Sequence, residues 1–283
     1  MDQLINGVSI GCTYLLIAIG FNLIFGVLKI VNLAYGDIFM VAAYAGAVTA
    51  GMAGGNGLLV TAATILVAVV VGLLVYVCAV RPLGAVSDVN SARHLSVIVS
   101  TIGFSLILQN GALLLFGGYP RPFPHFIDGS PLIITVLDLA IAASVVIVVA
   151  ATLRYSRAGL RLRALSDNPE LALCTGIRTE YDKVLSVAIS SALAGVAAVL
   201  ICQQIGVVSP FLGDVYGFKA LIIVLVGGLG SMSGVAVISL GLGLTEAFAV
   251  QWFDSSYRDA IAFGLLIAIL LVKYRRTRIG QIQ

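Results

Sequence analysis

Long apolar stretches separated by short polar ones make up this chain. They fall near residues 4–28, 38–51, 58–80, 95–117, 132–153, 183–206, 218–250 and 258–272. Most are a little over 20 residues long, and none alternates apolar and polar at every second position. Each therefore predicts a helix rather than a strand. The stretch 218–250 is 33 residues long. As one helix it would reach about 50 Å, against a hydrocarbon layer of roughly 30 Å. It is interrupted by Gly227-Gly228-Leu229-Gly230-Ser231-Met232-Ser233-Gly234, so two pieces are expected, a broken or re-entrant pair.

Composition fixes the solvent. The chain is 60% hydrophobic and 10% charged, whereas soluble domains carry roughly 25% charged residues. That leaves too little polar surface to cover a water-soluble globule. In lipid every backbone amide needs a partner inside the structure, which restricts the choice to helices or a closed barrel, and the run lengths select helices. The expected fold is all-α, a polytopic membrane bundle of about eight or nine segments forming one domain over residues 1–283. Met1-Asp2-Gln3 lacks the basic start of a signal peptide and no small-residue cleavage site follows, so the first span is expected to remain in the mature protein.

Charge placement sets the orientation. With the N-terminus outside and 218–250 counted as two passes, 13 of the 16 Lys and Arg fall inside, and only Arg121, Lys219 and Arg258 fall outside. Counting one pass would put the basic tail Lys273–Arg278 outside, against the rule. Cys12, Cys78, Cys174 and Cys202 show no CxxC spacing and read as small packing residues. His94 and His125 lie in different loops, and no metal-ligand or catalytic cluster is visible.

The longest inner loop, about 154–182, is the most informative segment. Within it Asn168 suits an N-cap, Pro169 the first helical position, Glu170 the positive end of the dipole and Gly176 a left-handed close. These predict a two-turn helix flanked by arginines and presenting Leu171, Ala172, Leu173 and Cys174. Such a helix suits a partner's groove. It equally suits a rest on lipid headgroups with its arginines meeting anionic lipid, and physics alone leaves the two readings level.

The loop resembles the coupling segment of ABC importer permeases, in the version found in the branched-chain amino acid (hydrophobic amino acid uptake) family. There a Gly-x-x-x-Arg-Ala run leads into an acidic, Ala-containing helix ending Gly-Ile; here these are Gly159 to Arg163-Ala164, then Glu170 to Gly176-Ile177. Asn6–Val27, the Asn32-Leu33-Ala34-Tyr35-Gly36-Asp37 stretch and the Gly227–Gly234 cluster resemble the same family, in order and over nearly the whole chain. Tyr35 and Asp37 depart from its usual His and Glu. The resemblance implies a periplasmic binding protein, two cytoplasmic ABC ATPases that hold the ATP and Mg, and a second related permease subunit in a heterodimer rather than a homodimer. It implies no cofactor on this chain, no catalysis by it and no nucleic acid. It also implies an inner-membrane location, in which the charge placement puts the N-terminus in the periplasm and the C-terminus in the cytoplasm. Arg163, Ala164, Pro169, Glu170, Leu171, Ala172, Leu173, Cys174, Gly176 and Ile177 would then form the ATPase-coupling element.

Polar residues within spans are the candidates for a route or for joining helices: Asn22, Asn32, Thr101, Gln109, Asn110 and Gln203, with the backbone of Gly227, Gly228 and Gly230. The glycines lack the Lys of a phosphate loop. They suit either close packing through Gly230-x-x-x-Gly234 or a broken helix, and Gly7-x-x-x-Gly11 suggests packing in the first span. Asp138 and Glu246 are expected to be the only acids well inside apolar runs, Glu246 near the outer surface, both without a facing intramembrane cation. Acids so isolated make a poor proton relay. That weighs against the alternative of an ion-coupled secondary transporter, while ABC uptake of urea, other amino acids or small carboxylates stays open. A membrane enzyme would need a histidine pair, metal spacing or nucleophile elbow that this sequence lacks.

Overall fold

The computed structural model describes residues 2–52, 56–84, 91–123, 131–252 and 258–279. His125 and the side chains of His94, Glu170 and the basic tail lie outside what is described. The helices are α1 (Asp2–Leu28), α2 (Tyr35–Met52), α3 (Gly57–Val75), α4 (Arg81–Gly84), α5 (Ser91–Phe116) and α6 (Pro131–Tyr155). After them come α7 (Arg157–Asp167), α8 (Pro169–Cys174), α9 (Thr179–Ile205), α10 (Leu212–Gly227), α11 (Met232–Trp252) and α12 (Arg258–Ile279). A π-helical turn, Tyr76–Val80, joins α3 to α4. Two short strands, β1 (Arg121–Pro122) and β2 (Val207–Val208), pair antiparallel.

Every predicted apolar run is a helix, and the chain is an all-α, multi-pass membrane bundle. The run at 218–250 divides at the glycines into α10 and α11, of 16 and 21 residues, with α10 starting six residues earlier than its apolar core. Among the described residues, six helices are long and apolar enough to cross a membrane.

Burial separates centre from rim. The apolar window of α1 is 89% buried and that of α9 67%, against 17% in both α5 and α6. Small residues make the centre possible. A Cβ on Gly7 would lie 3.0 Å from Ala247 Cβ, and one on Gly11 2.9 Å from Leu240 Cα; from the other side, Gly243 meets the backbone of Gly7 and Gly11. In lipid, where apolar side chains gain nothing by leaving solvent, such backbone contact is what holds helices together. The same pairings make α1 antiparallel to α11. On its other flank α1 meets α9, where Ser190 Oγ donates to Gly20 O and Tyr35 Oη donates to Ser190 O at 3.1 Å.

The packing pair expected at Gly230 and Gly234 takes another form. A Cβ on Gly230 would meet open space, while Gly234 lies against the backbone of Gly227. Gly227 and Gly234 therefore bring α10 and α11 together at their turn, and Gly230 packs no helix through its Cα. Cys12 and Cys202 are buried as expected, but Cys78 and Cys174 are exposed.

Candidate functional site

At one end of the bundle, α7 and α8 lie across the tips of α1, α6 and α9. α7 begins at Ser156, whose Oγ accepts from Gly159 N at 3.0 Å, and it is amphipathic. Leu162 and Leu165 turn inward onto Leu23 and Val27 of α1 and Leu153 of α6, while Arg157 and Arg163 are exposed. Arg161 reaches back 3.4 Å to the buried carboxylate of Asp182 at the start of α9.

Helix α8 is only six residues long and is held by its ends. Asn168 Oδ1 accepts from Leu171 N at 3.1 Å. At the other end Gly176 takes φ +78°. Gly176 N then bonds Leu173 O at 3.1 Å and Ile177 N bonds Ala172 O at 3.2 Å, the paired closure of a Schellman motif. Ala172 points into the same cluster as Leu23 and Leu153, which corrects the expectation that it is presented outward. Leu171 and Leu173, at 63% and 58% exposure, are the side chains that project, with Cys174 beside them.

The α10–α11 turn sits at this same end. Gly228 and Gly230 adopt φ +101° and +82°, values that favour glycine. Gly230 N donates to Asn22 Oδ1 at 2.8 Å, so a backbone group released by the helix break is taken up by a polar side chain within α1. Of the polar residues proposed for a route, these two share a cavity of about 310 Å³ with Gly26, Ala150, Leu162 and Met232 on its walls.

The other polar residues are dispersed. Asn32 Oδ1 caps Ala34 N at 3.1 Å, and Thr101 Oγ1 receives Leu33 N at 3.4 Å, fixing the α1–α2 turn against α5. Gln109 donates to Asp214 at 2.7 Å, linking α5 to α10. Asn110 bonds Leu106 O of its own helix, and Gln203 is buried.

Sequence reasoning missed the most charged feature of the interior. Lys219, expected outside, is 1% exposed, and Glu246, expected near the surface, is equally buried. Lys219 Nζ donates to Glu246 Oε1 at 2.7 Å and to Tyr14 Oη at 3.1 Å, while Tyr14 Oη donates to Glu246 Oε2 at 2.6 Å. The ammonium also lies 5.0 Å from the Tyr14 ring centre and 5.5 Å from that of Tyr216. Thus Glu246 does face an intramembrane cation, and the group joins the middles of α1 and α10 to the C-terminal half of α11. Asp37 and Asp182, which stand just before apolar runs in the first turns of α2 and α9, are buried as well.

Compared with known proteins, residues 3–270 match the family described as branched-chain amino acid transport system / permease component. The chain is 32% identical to the high-affinity branched-chain amino acid transport system permease protein LivH of Escherichia coli K12, covering 96% of this chain and 93% of that one. It is 31% identical to the corresponding permease protein BraD of Pseudomonas aeruginosa, covering 96% and 94%. Among solved structures, PsaBC from Streptococcus pneumoniae in complex with Fab shares the fold, with a TM-score of 0.53 at 14% identity, over 95% of this chain and 89% of that one.

Proposed function

This chain belongs to the family of branched-chain amino acid transport system permease components, and on that footing we propose that it forms part of an ATP-driven import path for leucine, isoleucine and valine. The observation that carries the mechanism is α8, a capped, six-residue helix whose Leu171 and Leu173 project while Ala172 anchors it to the bundle. In this reading α8 enters a groove on a cytoplasmic ABC ATPase. Closure of two such ATPases, which hold the ATP and Mg, moves α8, and α7 passes the movement to α1 and α6 through Leu162 and Leu165. A second, related permease subunit completes the path, and a periplasmic binding protein delivers the solute. The α7–α8 end then faces the cytoplasm. The N-terminus lies in the periplasm and the C-terminus in the cytoplasm, as the distribution of Lys and Arg also favours.

The buried Lys219–Glu246 pair supports this reading over ion-coupled transport. Its charges are mutually satisfied, so it presents no lone carboxylate to a proton or sodium ion. The test is reconstitution in liposomes. With its sister subunit, ATPases and binding protein, the chain should accumulate leucine on ATP addition. Accumulation by the chain alone, driven only by an ion gradient, would overturn the proposal.

A further inference from the structure

The cavity between α1, α6, α7 and the 228–231 turn has a makeup that solute import leaves unused. Its wall surface is mostly apolar, with Leu23, Val27 and Leu153 among the residues, yet Arg154 and Arg163 also line it. Among the described lining residues there is no carboxylate. Both guanidinium groups are steadied: Arg163 Nη2 donates to Arg154 O at 2.8 Å, and the Arg154 guanidinium lies 5.6 Å from the Tyr155 ring centre. A zwitterionic amino acid would find no counter-charge here for its ammonium. A neutral solute would make no use of the two exposed cations at the cavity's edge. An anion with an apolar tail meets both requirements.

The location points to the source of such an anion. Ala150 lines the cavity and belongs to the outward surface of α6, where Ile147 and Val148 are 66% and 59% exposed. In a membrane-spanning chain that apolar surface is open to acyl chains. Arg154 stands in the last turn of α6, and the α7 residue Arg163 reaches its carbonyl; the end of a membrane-spanning helix is where headgroups lie. Basic pockets between helices at this level are suited to anionic headgroups, and the planar guanidinium matches phosphate oxygens. We infer that this cavity binds one anionic phospholipid, its phosphodiester held by Arg154 and Arg163 and an acyl chain laid against Leu23, Val27 and Leu153. The lipid thereby fills the space at the root of the α7–α8 element.

The test strips lipid from the full-length chain, purified with its associated subunits in detergent, and adds back phosphatidylglycerol or phosphatidylcholine, with retention read by native mass spectrometry. One phosphatidylglycerol per chain is expected to bind at least about tenfold more tightly than phosphatidylcholine. Arg154→Gln and Arg163→Gln should each weaken it roughly fivefold, the size of one basic contact at a membrane surface. Ala150→Trp keeps both arginines but fills the cavity from an exposed position, and it should abolish retention while leaving folding intact. Inorganic phosphate at equal concentration should fail to displace the lipid. Equal retention of the two lipids, displacement by phosphate, or an unchanged preference in all three variants would overturn the inference. So would arginine variants that lose the ATPases yet keep the lipid. None of these readouts depends on transport, so failure here is separate from failure of the import reading.

Discussion

Lys219 Nζ and Glu246 Oε1 stand 2.7 Å apart in the bundle interior, their side chains 2% and 0% exposed. A single charge at such a site is far less tolerable than a pair, because removing one partner leaves the other in a medium that solvates it poorly. Lys219→Met alone is expected to lower stability by about 3–5 kcal/mol. Lys219→Met combined with Glu246→Leu should recover most of that loss. Denaturation in detergent measures both, and a single variant as stable as the wild type would refute the role assigned to the pair.

Leu171 and Leu173 project from α8 while Ala172 anchors it. Replacing both leucines by Asp should leave insertion and folding unchanged but break the link between ATP hydrolysis and uptake. The uptake-to-hydrolysis ratio should fall at least about tenfold, the loss of roughly 1.4 kcal/mol of contact. Undiminished co-purification with the ATPases would count against docking at this helix.

The Asn22–Gly230 hydrogen bond is the contact that pins the α10–α11 turn to α1. Asn22→Ala leaves the Gly230 amide without this acceptor, a loss of about 1–3 kcal/mol when the group is buried. Hydrogen exchange of the peptide spanning residues 228–234 should quicken by about tenfold, with the rest of α11 unchanged. An exchange rate equal to wild type would show that the turn is held by other means.

Gly11 faces the Leu240 backbone at close range, whereas Gly103 on α5 faces open space. Gly11→Leu should therefore destabilise by about 1–3 kcal/mol or more through overpacking, and Gly103→Ala should be near neutral. Thermal unfolding in detergent separates the two. Equal midpoints would mean that the α1–α11 seam is looser than its geometry implies.

What the sequence made legible was local. The apolar runs carry their own length, Asn168, Pro169 and Gly176 cap α8 within nine residues, and the glycines at 227–234 mark where a helix must stop. The Lys219–Glu246 pair was hidden because it joins positions 27 apart across a turn. Seen along the chain, Lys219 stands at the edge of an apolar run, next to a stretch with two glycines and Asp214 that looks like a loop. Had α10 been placed from Leu212, Lys219 would have fallen mid-helix and called for a buried partner. Ala172 was misread for a related reason: in a helix of six residues, periodicity is too brief to tell the anchored face from the free one.

The contact of Gly7 and Gly11 with Gly243 has a mechanical corollary. Main chains that touch have no side chains between them to yield, so neither helix slides along the other without first lifting away. Under the coupling proposed for α8, a push at its tip would travel along this seam as a shared tilt of two rods, and any shear between helices would fall along some other, better-lubricated boundary of the bundle.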